Sequence, residues 1–216
     1  MRLLKIIFLF LLIPFLSCKK DEALNYTIKG TIVNGRTGAP ISGLNVSIQQ
    51  KIIQDGIFSA LFTDAASAIT DANGNYSMTW KRENVAAFQL LLEKEQHISR
   101  QIELSPNSLN ANESFTYNAH VFTEAFITVH LINEGETTAV DICNFRFDDT
   151  DFDCTCCTDA WVNTFGADVD STWTCKVYGD SWIRYVKDIA TLEVDSVSTD
   201  SIWCPAFQTT ILEIAF

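Results

Sequence analysis

The sequence predicts an all-β protein, two consecutive β-sandwiches carried behind an N-terminal export segment. Three observations predict this. From Tyr26 onward, apolar and polar residues alternate with period two in short runs, the spacing that places one face of a strand on a core. The runs are separated by clusters such as Gly35-Arg36-Thr37-Gly38-Ala39-Pro40, whose residues supply or fix turn dihedrals. No long 3.6-residue periodicity appears in residues 19–122.

Met1 to Lys5 carries Arg2 and Lys5, and Ile6 to Leu16 is an unbroken apolar run. Eleven residues fall short of the about 20 that a membrane-spanning helix needs. A basic segment, an apolar segment and a processing site make an export signal. Phe15-Leu16-Ser17-Cys18 resembles a bacterial lipobox. The resemblance implies that residues 1–17 are removed as a lipoprotein signal peptide and that Cys18 is acylated, for example with palmitate. Residues 18–25 then form an acylated tether. Lys19-Lys20-Asp21-Glu22 resembles the surface-export signals of Bacteroidota-type lipoproteins, which implies an outer-membrane, lipid-anchored chain exposed at the cell surface.

Tyr26, Ile28, Gly30 and Ile32 form the first alternating face, and Leu44, Val46 and Ile48 the second. Residues 50–68 fit either a strand pair or one short helix. Thr70-Asp71-Ala72-Asn73-Gly74-Asn75 reads as a tight turn, because Asn-Gly tolerates the positive φ values of a two-residue hairpin. Tyr76, Met78 and Trp80 follow at period two; Phe88 to Leu92, Ile98 to Leu104 and Phe115 to Val121 complete the set.

These residues carry a resemblance. Gly30-Thr31-Ile32-Val33, then Gly38-Ala39-Pro40-Ile41-Ser42-Gly43-Leu44-Asn45-Val46, then Thr70-Asp71-Ala72-Asn73-Gly74-Asn75-Tyr76 resemble the carboxypeptidase regulatory-like (transthyretin-like) domain over residues 26–122. The resemblance implies a seven-stranded, non-catalytic β-sandwich that serves as spacer, folding module or binding surface.

Residues 123–216 read as a second, disulfide-stapled acidic β-sandwich. Phe126 to Ile132, Val140 to Phe147, Trp173 to Val177, Trp182 to Val186, Leu192 to Val197 and Thr209 to Phe216 are strand-like, and Tyr178-Gly179-Asp180-Ser181 turns the chain between Trp173 and Trp182 as a hairpin. No repeat of the first half is visible. Residues 18–119 hold 9 basic and 10 acidic side chains, whereas residues 120–216 hold 4 and 17. A net charge of −13 on the second half excludes nucleic acid and anionic surfaces as partners, since both are held by Lys and Arg. The charge can instead attract cations or a basic partner, with a solubilising surface as the default; a glycan or another envelope protein is the expected partner.

Cys143, Cys154, Cys156, Cys157, Cys175 and Cys204 lie in this half. Six cysteines in an exported chain read as a disulfide framework, with each thiol of Cys154-Thr155-Cys156-Cys157 bonding outward to Cys143, Cys175 or Cys204. Two other readings stand beside it. Cys175 or His130 can complete a zinc site with the cluster, and Cys-x-x-Cys is a redox motif. Asp148, Asp149, Asp151 and Asp153 offer hard oxygens to calcium, although no EF-hand pattern fits and a solvated acidic loop is the default; no other cofactor is expected.

For catalysis the sequence holds three histidines, His97, His120 and His130, and none of the nucleophile, zinc-protease or phosphate-loop motifs. Trp161, Trp173, Trp182 and Trp203 can form a sugar-stacking platform. Trp161 beside the acidic loop is the expected exposed one, and Trp173 and Trp182 are expected in the core. The reading is a non-catalytic outer-membrane lipoprotein acting as a surface or periplasmic binding, adhesion or accessory module; an envelope hydrolase with its site on the acidic domain is the alternative.

Overall fold

The computed structural model describes residues 24–133, 141–148, 157–166, 168–192 and 195–216. Expectations for the signal peptide, Cys18 and most of the tether lie outside these residues, as do those for Asp149, Asp151, Asp153, Cys154 and Cys156.

The chain is all-β. Nine strands come first: β1 (Asn25–Asn34), β2 (Asn45–Gln54), β3 (Ile57–Phe58), β4 (Thr63–Ile69), β5 (Asn75–Lys81), β6 (Val85–Glu93), β7 (Arg100–Leu104), β8 (Ser114–Thr116) and β9 (Ala119–Val121). In one sheet β1 lies between antiparallel β5 and parallel β8 and β9; in the other the order is β4-β2-β6-β7, with β3 extending the ladder on β2. Alternation explains the core. Tyr26, Ile28 and Ile32 of β1, with Tyr76, Met78 and Trp80 of β5, bury against Val46 and Ile48 of β2 and Phe88, Leu90 and Leu92 of β6. The rings of Tyr26, Trp80 and Phe88 meet with centroids 5.5–5.9 Å apart, two of the three pairs edge-on, an arrangement aromatic quadrupoles favour.

The second set comprises β10 (Glu124–Ile132), β11 (Ile142–Phe147), β12 (Val162–Phe165), β13 (Asp170–Tyr178), β14 (Ser181–Ala190), β15 (Asp195–Cys204) and β16 (Thr209–Ala215). Here β10 lies between antiparallel β13 and parallel β16, and the facing sheet runs β12-β11-β14-β15. Ala125, Ile127, Val129 and Leu131 of β10 pack on Phe145, Phe147, Ile183 and Tyr185.

The two sandwiches share one topology. Replacing β1, β2, β4, β5, β6 and β7 by β10, β11, β12, β13, β14 and β15 reproduces every pairing, and the β8–β9 pair corresponds to β16. Sequence reading finds no such repeat, because strand order is kept while side chains are not. Each sandwich also elaborates the same connection. Between β2 and β4 the first inserts a hairpin through β3, and between β11 and β12 the second inserts the cysteine-rich acidic segment.

Several expectations are corrected. Residues 50–68 are strands and no helix, with Asp55 and Gly56 at φ 52° and 78° turning β2 into β3. Asn73-Gly74 is a tight turn without being a hairpin. Its flanking strands belong to different sheets, since Ile69 pairs with Asn45 of β2 and Asn75 with Thr31 of β1. Gly74 sits at φ 75°, and a Cβ there would lie 2.4 Å from the Ile32 carbonyl oxygen. The Asp71 carboxylate accepts N–H bonds from Asn75 and Asn73, which hold its pKa below the ordinary aspartate value. The turn at Tyr178–Ser181 likewise carries the chain from the β13 sheet to the β14 sheet, so Trp173 and Trp182 do not flank a hairpin. The strand expected at 192–197 lies later, at Asp195–Cys204, and β12 has no counterpart among the expected strands.

Phe122 sits at the joint between the two sandwiches. Its ring stacks on Tyr178 at 4.2 Å and 12°, with the Arg36 guanidinium 5.5 Å and 5.8 Å from the two ring centres. The Ile98 N–H donates to the Phe122 carbonyl at 2.8 Å, the Gly179 N–H to that of Thr123 at 2.8 Å, and the Glu124 N–H to that of Gln96 at 2.9 Å.

Candidate functional site

In β14, Ser181, Ile183 and Tyr185 point into the core, so Trp182 and Arg184 must point out. Trp182 is 62% exposed, contrary to its expected burial. Its cross-strand partner is Trp203 of the edge strand β15, 41% exposed, with ring centroids 5.7 Å apart and planes at 58°. The two indoles form an open wedge on the outer face of the β12-β11-β14-β15 sheet. Trp173, on the other sheet, packs edge-on against Phe145 at 5.8 Å and belongs to the core.

On the same outer face Asp148 bridges two guanidinium groups. Its Oδ1 accepts from Arg146 at 3.0 Å, and its Oδ2 lies 3.0 Å from Arg184 Nη2. Arg146 lies 5.1 Å from the ring centre of Trp161, which is 45% exposed. Beside this chain, Ser201 pairs with Arg184, and Thr199 with Val186. The face therefore combines three exposed indoles with a fixed Arg–Asp–Arg array and small hydroxyls. Of the residues singled out in the sequence, Trp161 and Asp148 stand here together; Arg146 and Arg184 were missed. The alternation Trp182-Ile183-Arg184-Tyr185 was the signal that could have found Arg184.

Trp161 has a counterpart in the first sandwich. It sits one residue before β12, opposite Arg146; Phe62 sits one residue before β4, opposite Lys51, whose Nζ is 4.5 Å from the Phe62 ring centre. A cation–π pair thus closes the elaborated connection in both sandwiches. Trp182 and Trp203 have no such counterpart, since β6 and β7 contain no tryptophan.

The cysteines depart from a full set of outward bridges. Cys157 bonds to Cys175, tying the β11–β12 connection to β13 in the opposite sheet, and the Cys157 N–H donates to the Lys176 carbonyl at 2.9 Å. Cys143 and Cys204 are buried free thiols, their pKa pushed up to about 11 by desolvation. They cannot reach each other. Cys143 is opposite Ile189 and Cys204 opposite Ser181, about 26 Å apart along β14, whereas a bridge needs Cα atoms within roughly 7 Å. The zinc expectation fails for its described members, because Cys157 and Cys175 are spent on each other. His130 stands on the outer face of the other sheet, with Nε2 2.8 Å from Asp170 and Nδ1 3.6 Å from Glu213. The Cys154–Cys157 redox pair fails for the same reason. Among the described residues no group of three His, Cys, Asp or Glu could hold a metal ion. A cavity of about 120 Å³ beside the bridge, lined by Phe145, Trp173 and Ala160 among others, is below ligand size.

No protein-family model matches the chain, and no curated protein matches it. Among solved structures it is similar to the 3-chlorocatechol 1,2-dioxygenase of Rhodococcus opacus 1CP (14% identity, TM-score 0.34, 47% of this chain and 62% of that one). It is also similar to the shaft pilin SpaA of Lactobacillus rhamnosus GG (9%, 0.32, 88% and 97%) and the minor pilin GBS52 of Streptococcus agalactiae (10%, 0.33, 88% and 94%). The chain spans less than two thirds of the dioxygenase and 34% of the similar TIE protein of Bacillus anthracis.

Proposed function

We propose that this chain is a non-catalytic, lipid-anchored module of the outer membrane, exposed at the cell surface, that binds through the outer face of its β12-β11-β14-β15 sheet. The first sandwich, of the carboxypeptidase regulatory-like type, is the stalk that raises this face from the Cys18 anchor. The observation that carries the reading is the exposure of Trp182 and Trp203 side by side on that face. Large exposed apolar groups gathered in one place are interaction sites more often than accidents of folding.

A hydrolase would need paired carboxylates or a histidine in a concave site. The His130, Asp170 and Glu213 group lies on the outer face of a sheet. The depression of about 360 Å³ over β2, β4 and β6 holds Asp64 and Glu93. They sit opposite Gln49 and Asn45, about 16 Å apart by strand geometry, beyond the roughly 5–9.5 Å of a glycosidase pair.

The test uses the mature chain made soluble by Cys18→Ser. It should co-sediment with isolated cell envelopes or insoluble polysaccharide, and Trp182→Ala with Trp203→Ala should abolish this while His130→Ala does not. Release of soluble product from those materials would overturn the non-catalytic reading. In cells, Cys18→Ser should stop lipid labelling and free the protein from the membrane fraction; unchanged retention would refute the anchor.

A further inference from the structure

We infer that the ligand of this face is a neutral oligosaccharide seated on Trp182 and Trp203 beside Arg184, and that Trp161 serves the fold. The inference rests on the binding reading above and narrows it to a ligand class and a set of residues.

The division among the tryptophans comes from the repeated topology. A pair that recurs at one topological position in both sandwiches, Lys51–Phe62 and Arg146–Trp161, is explained by the connection it closes. The Trp182–Trp203 wedge is found in the second sandwich alone, so closing a shared connection does not explain it. Nor does core packing, since Trp182 is 62% exposed.

The chemistry around the wedge selects the ligand. An indole face carries negative charge density and attracts the polarised C–H groups of a sugar ring. Arg184 occupies the next outward position on β14 after Trp182, its guanidinium fixed by Asp148. It presents rigid N–H donors to hydroxyls, and Asp148 supplies an acceptor. Ser201 and Thr199 continue the face with hydroxyls. A stable protein interface instead wants a broad patch with an apolar centre; here the Arg184–Ser201 pair separates the two indoles from the exposed Val197, Ile142 and Phe165 further along the face. Sulfated, phosphorylated or uronate polymers are repelled, because residues 120–216 carry 4 basic and 17 acidic side chains.

The experiment titrates the soluble mature chain with cellohexaose, xylohexaose and mannohexaose by calorimetry and tryptophan fluorescence, with heparin and polygalacturonate in parallel. At least one neutral hexaose should bind. Trp182→Ala and Trp203→Ala should each weaken it roughly tenfold, about 1.4 kcal/mol, and Arg184→Gln should weaken it too. Trp161→Phe, which keeps an aromatic ring over Arg146, should leave affinity unchanged. Thermal unfolding checks that each variant is folded. Binding of heparin or polygalacturonate in preference to the neutral sugars would overturn the ligand class. An equal loss in Trp161→Phe would overturn the assignment of Trp161. If no hexaose binds while Trp182→Ala still abolishes envelope co-sedimentation, or if Trp182→Ala abolishes self-association of the chain, the sugar inference falls and the binding module stands. If neither assay responds to Trp182, both fall.

Discussion

His130 shows how little a residue's type says about its employment. It stands between two acidic side chains of neighbouring strands, with Asp170 of β13, diagonally placed, on one ring nitrogen and Glu213 of β16, directly opposite, on the other. The hydrogen bond to Asp170 is the main cause that raises its pKa above the ordinary histidine value. A raised folded-state pKa means that the clasp's contribution is fully present below about pH 6.5 and is lost as pH rises through the folded value. The stability advantage of the wild type over His130→Gln should therefore be larger at about pH 5.5 than at about pH 8.5, read from urea midpoints at each pH. An advantage that is flat or grows with pH would sink the clasp. Cys143 and Cys204 repeat the lesson in the core. The sequence counts them with four other thiols, yet the ladder seats each opposite a residue that cannot bond to sulfur.

At the scale of elements, alternation made the strands legible and left their partners open. Tyr26 to Ile32 and Tyr76 to Trp80 declared inward faces by period two alone. What alternation cannot say is which sheet a strand joins, since an inward face reads alike in either layer. This is why Asn73-Gly74 and Tyr178–Ser181 look like hairpins and are in fact crossings between sheets. Asp55-Gly56 was a hairpin signal in plain view, masked by the apolar residues around it. Trp182 was misjudged because a large aromatic is most often core; the alternation of its neighbours was the better guide. The Cys157–Cys175 bridge is the element-scale device that compensates for an irregular connection. It closes a segment of sequence separation 18, which by chain entropy contributes about 3 kcal/mol. Cys175→Ser paired with Cys157→Ser should lower the stability of the second sandwich by about that amount in chemical denaturation, with the Trp182 wedge as a local fluorescent reporter. A loss under about 0.5 kcal/mol would show that the connection is held by its other contacts.

For the whole molecule, the decisive contact is the stack of Arg36, Phe122 and Tyr178, where the first sandwich, the joint and the second sandwich each supply one group. With backbone bonds from Ile98, Gly179 and Glu124 around it, the joint behaves as a continuation of both sheets. Phe122→Ala should broaden the distance distribution in small-angle scattering without changing the thermal unfolding of either sandwich by more than a few degrees; an unaltered distribution would show that the backbone bonds suffice. The shared topology has one more consequence. In each sandwich the opening strand, β1 or β10, is completed by a parallel partner from the far end, β8 and β9 or β16. A chain that emerges N-terminus first must therefore hold that first strand half-paired until the closing strand arrives. Such long-range closure is slow and leaves an apolar edge open to wrong partners meanwhile. Folding of the emerging chain should thus proceed in two pauses, one for each sandwich. The link between Cys157 and Cys175, both upstream of β16, can form during the second pause, before the last strand has emerged.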